Sequence, residues 1–71
     1  MILQVAVGEQ TVACDVDTSK NLDQTLSLMV SRMAQRDPET LEYFSEGDKP
    51  ISLKKRPSEL NLCEMDTLTV R

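Results

Sequence analysis

The chain has no histidine and no tryptophan, and a single tyrosine and a single phenylalanine among its 71 residues. Histidine is the one side chain whose ordinary pKa lies near neutrality, so its absence removes the usual general acid or base. Glycine occurs only at Gly8 and Gly47, too sparsely for a loop that cradles phosphate. Cys14 and Cys63 are too few for a disulfide framework, and without histidine they cannot complete a zinc site. Two free thiols in a reducing compartment is the expected state. No apolar run approaches the ~20 residues that a membrane helix needs. Met1-Ile2-Leu3 has neither the basic flank nor the apolar core of a signal peptide. Basic residues are outnumbered 8 to 12, and the net charge of −4 argues against nucleic acid, whose phosphates demand a basic face. These absences point to an intracellular protein, cytoplasmic or nuclear. Its expected character is monomeric and non-enzymatic, with no cofactor, no metal and no membrane or nucleic-acid partner.

What the chain does carry is patterning. In residues 1–7, Met1, Leu3, Val5 and Val7 are large and apolar at alternate positions, the period of a half-buried strand. Gly8-Glu9-Gln10 supplies a tight turn, with Gly8 free to take positive φ. A second alternating run then sets Val12, Cys14 and Val16 against Ala13, Asp15 and Asp17. Together these predict a hairpin with one apolar face. Asn21 is placed to cap a helix over residues 22–35, which contain no glycine or proline. Leu22, Leu26, Met29, Val30 and Met33 fall on one stripe at helical spacing, so the methionines read as core filling. Leu28 lies off the stripe, either at the core's edge or as an exposed contact. Asp37-Pro38 is expected to end the helix.

Residues 40–44 read as a third strand and 45–48 as a turn. The run Pro50-Ile51-Ser52-Leu53 has an edge-strand character, since proline cannot donate to a central ladder. Residues 54–58 form a loop with a basic cluster, Lys54-Lys55-Arg56, and residues 58–62 a single helical turn. Residues 66–71 close the chain as a strand with Leu68 and Val70 inward. Tyr43 and Phe44 face opposite ways, and alternation alone does not say which is buried.

The element order and residues resemble the ubiquitin family over essentially the whole chain, and three segments carry the resemblance. They are Met1-Ile2-Leu3-Gln4-Val5, the stretch from Pro38 to Gly47, and Pro57-Ser58-Glu59-Leu60-Asn61-Leu62 followed by Asp66-Thr67-Leu68-Thr69-Val70. The last is similar to the family's "Leu-Ser-Asp-Tyr-Asn-Ile" turn and its closing "Ser-Thr-Leu-His-Leu" strand. The turn Glu46-Gly47 after Tyr43-Phe44 is similar to that of the small-modifier (SUMO-like) branch. The resemblance implies one α+β domain over residues 1–71, a ubiquitin-like β-grasp. A mixed four- to five-stranded sheet would pack on one helix in the order β-β-α-β-β.

For function the resemblance implies docking. The family's apolar recognition patch, carried over by position, falls on Phe44, Thr69 and Arg71, with Gly8 in the shortened hairpin loop; only Phe44 stays apolar. A second implied surface is the groove between the second strand and the helix, where the SUMO-like branch accepts a partner strand; here Ala13, Asp15 and Arg32 would line it. The leading expectation is a non-catalytic interaction domain, a regulatory or adaptor module whose partners are ubiquitin-pathway components or receptors of ubiquitin-like folds. The alternative is a truncated covalent modifier or sulfur carrier whose Gly-Gly tail lies beyond residue 71. A Ras-binding type of β-grasp domain ranks last, because the first hairpin carries no lysine or arginine. Against thiol catalysis, Cys14 has an inward strand position, and the carboxylate of Glu64 next to Cys63 disfavours a thiolate.

Overall fold

A computed structural model describes residues 1–71. The first two strands, β1 (Ile2–Val7) and β2 (Gln10–Asp15), form the expected hairpin, with Val7 opposite Gln10 across a two-residue loop. Gly8 has φ +61° and Glu9 does not share the positive sign, the requirement of a type II′ turn. Helix α1 (Leu22–Ala34) follows, then strands β3 (Tyr43–Ser45), β4 (Lys49–Ile51) and β5 (Thr67–Val70). The sheet has five strands in the order β2-β1-β5-β3-β4. Only the β1–β5 pair is parallel, so the sheet is mixed. This is the α+β, β-grasp-like arrangement: one helix laid across a sheet whose first and last strands are neighbours.

One side of the sheet meets the helix. Leu3, Val5 and Leu68 are fully buried there, with Cys14, Val16, Tyr43 and Val70 nearly so. Leu22, Leu26 and Val30 from α1 close over them, and Leu41 and Leu62 seal the ends. Met29 is half-buried against this core, its sulfur 3.6 Å from the Cys14 thiol. Met33 is also only half-buried, and Leu28 is 63% exposed. The helix thus buries its leucines and valine, and the methionines sit at the margin.

Four local expectations are corrected. Asn21 is the residue before the helix, yet its side chain makes no capping bond. The amides of Leu22 and Asp23 donate instead to the carbonyls of Lys55 and Leu53, at 3.1 and 2.9 Å. A distant loop therefore satisfies the orphan donors that a cap would otherwise take. The helix also ends before Asp37-Pro38: Gln35 adopts φ 54°, and the amides of Gln35 and Arg36 both turn back to the Ser31 carbonyl, an αL termination without glycine. Asp37 instead caps a 3-10 turn over Pro38–Thr40, its carboxylate accepting from the Glu39 amide at 3.0 Å. That turn displaces the start of the third strand from residue 40 to Tyr43. A second 3-10 turn, Pro57–Leu60, begins one residue before the expected one.

Candidate functional site

Strand pairing defines the sheet's open face. Ala6 lies opposite both Thr11 of β2 and Thr69 of β5, Thr69 lies opposite Phe44 of β3, and Phe44 opposite Pro50 of β4. One row, Thr11–Ala6–Thr69–Phe44–Pro50, therefore crosses all five strands on the side away from the helix. It is short-chained except at Phe44, so the aromatic ring is the relief on an otherwise low surface.

Phe44 is partly exposed on the open face whereas Tyr43 is 4% exposed, which answers the question that alternation left open. Tyr43 pairs with Val70 and Ile51, both on the helix side. Arg71 continues past β5 and sets its guanidinium 4.6 Å from the centroid of the Phe44 ring, within cation–π range. The same guanidinium bonds Asp48 of the β3–β4 turn at 2.6 Å. Both partners are largely exposed, so the ion pair contributes little to stability. Its effect is to hold the positive group over the ring.

The predicted residues divide differently from expectation. Phe44, Thr69 and Arg71 come together as the patch requires. Gly8 lies at the hairpin loop, beside a separate depression that it shares with Arg71, Val7 and Met33. Ala13 and Asp15 do not line a groove with Arg32. Cys14 between them meets Met29 on the helix, so alternation sends Ala13 and Asp15 to the open face, the former opposite Gln4 and the latter opposite Ile2. Arg32 is an exposed residue of the helix, on the other side of the sheet. Asp15 lies 3.3 Å from the Met1 amine. Ala13 and Asp15 thus extend the Phe44 face toward the outer strand.

That outer strand has a free edge. In a hairpin closed by two residues, Val7/Gln10, Val5/Val12 and Leu3/Cys14 are the mutually bonded pairs. The main-chain groups of Thr11, Ala13 and Asp15 therefore point outward, and β2 ends the sheet. Neither lysine nor proline blunts this strand.

Burial pushes the Cys14 thiol above its ordinary pKa, which keeps it protonated and unreactive. Cys63 is exposed, and its amide donates to the Asp66 carboxylate at 2.8 Å. In the basic loop, Arg56 pairs with Glu59 at 2.9 Å; that bond holds the Glu59 carboxyl below its usual range. No family model matches the chain, and no curated protein matches it.

Proposed function

We propose that the protein is a non-catalytic, ubiquitin-like docking domain, a regulatory or adaptor module that binds other proteins through the open face of its sheet. The observation that carries this reading is the Thr11–Ala6–Thr69–Phe44–Pro50 row, with one aromatic anchor ringed by small or polar side chains. An apolar anchor that is desolvated on contact, inside a polar rim, is the arrangement from which interfaces draw most of their binding energy. Arg71 contributes a planar donor beside that anchor, suited to a partner carboxylate. The lack of histidine and the buried, protonated Cys14 thiol fit a role that asks for no proton transfer and no nucleophile.

The test is a nuclear magnetic resonance titration of isotope-labelled protein with a panel of purified receptor domains for ubiquitin and ubiquitin-like folds. Binding should perturb Ala6, Phe44 and Thr69, and Phe44→Ala should weaken it at least tenfold while the fold is kept. Perturbations confined to the helix, or an unchanged affinity for Phe44→Ala, would overturn the assignment.

A further inference from the structure

Behind the β3–β4 edge lies a second recognition feature, on the helix side of the sheet. A cavity of about 650 Å³ opens between the first turns of α1, the Pro38–Thr40 turn and the segment that follows β4. Its apolar wall is built by Leu41, Ile51 and Leu53, and its volume suits insertion of more than one large side chain. Its rim is acidic: Asp23, Glu39 and Glu42 stand against the single cation Lys54. All three carboxylates are exposed, and none is engaged in an ion pair. An apolar pocket rimmed by three carboxylates and one ammonium disfavours acidic ligands and rewards a ligand that is apolar at its centre and cationic at its flanks. The chain's net charge of −4 adds to that bias at long range.

We infer that this cavity binds a peptide segment of a partner protein in which a large apolar residue is flanked by lysine or arginine. The apolar side chain enters between Leu41, Ile51 and Leu53, and the basic flanks meet Asp23, Glu39 and Glu42. The site is independent of the open-face reading, except that Phe44 and Pro50 border both surfaces; the test therefore uses other positions.

The experiment is selection of a random phage-displayed peptide library on the intact protein. Fluorescence anisotropy then measures the enriched peptide with three variants, each checked for folding by circular dichroism. The enriched peptides should share an apolar residue between basic ones. Glu39→Lys combined with Glu42→Lys should weaken binding at least tenfold, and Ser27→Trp, on the helix wall of the cavity, should do the same by occupying it. Thr69→Arg, on the open face, should leave the affinity unchanged. An acidic or uncharged consensus, no enrichment at all, or indifference to the rim reversal would overturn the inference. Loss of binding in Thr69→Arg alone would reassign the peptide to the open face.

Discussion

Tyr43 and Phe44 are adjacent, similar in size, and members of the same three-residue strand, yet the fold uses them in opposite ways. Tyr43 is sealed among Val70, Ile51 and the helix, with its hydroxyl buried and without a partner. Phe44 stands on the open face under a guanidinium. The difference follows from the pleat, which sends successive side chains to opposite faces, and from the register of β3 against β5. It separates a residue that holds the fold from one free to meet a partner. A slip of one residue would exchange the two and place a phenol on the surface.

Four substitutions test this division of roles, in order of expected effect. Tyr43→Ala should destabilise by about 3–5 kcal/mol, as for truncation of a buried aromatic, read by denaturant unfolding. Phe44→Ala should cost less, about 1–2 kcal/mol, since its ring is only half-buried; equal costs would mean that both are core. Alkaline pH sharpens the contrast further. Desolvation raises the Tyr43 phenol from its ordinary 10.0 to about 12, so the folded state favours the protonated form. The resulting stability is complete below pH 10 and is lost as pH rises from about 10 to about 12. Thermal unfolding of Tyr43→Phe should lack that component of the decline, and at neutral pH the variant should be at least as stable, because it removes an unsatisfied buried hydroxyl. Identical pH profiles for the two proteins would show the phenol to be solvated. Smallest of all, Leu28→Ser should change stability by less than about 0.5 kcal/mol, as expected for an exposed helix position; a larger loss would place Leu28 in the core.

Much of the fold was legible because its signals are local. Alternation along residues 1–7 and 12–16 marked the hairpin and its inward face, and Gly8 marked its turn. Of the expected stripe of Leu22, Leu26, Met29, Val30 and Met33, the leucines and the valine are buried and the two methionines only half-buried. The misreadings arose where non-local contacts replaced local chemistry. Asn21 looked like a cap, but the loop carbonyls of Leu53 and Lys55 reached its position first. The helix end was placed within one residue but its cause was misread, because Gln35 takes a left-handed conformation for which glycine is the usual signal. The site was half legible: Phe44, Thr69 and Arg71 converge. Arg32, however, lies across the sheet from Ala13 and Asp15, an assignment that depends on which face the helix covers. The acidic cavity had no signal in the sequence, since its walls come from segments of chain that meet only on folding.

The class of each main element and the phase of the first, second and last strands follow from the sequence alone, because periodicity, glycine placement and proline placement act within a few residues. Only the tertiary structure decided which of two adjacent aromatics is buried, which face of the sheet is open, and what covers the helix start. Those outcomes depend on register and packing between segments as distant as β1 and β5, where the free energy belongs to the pairing of two stretches of chain and is written in neither one alone.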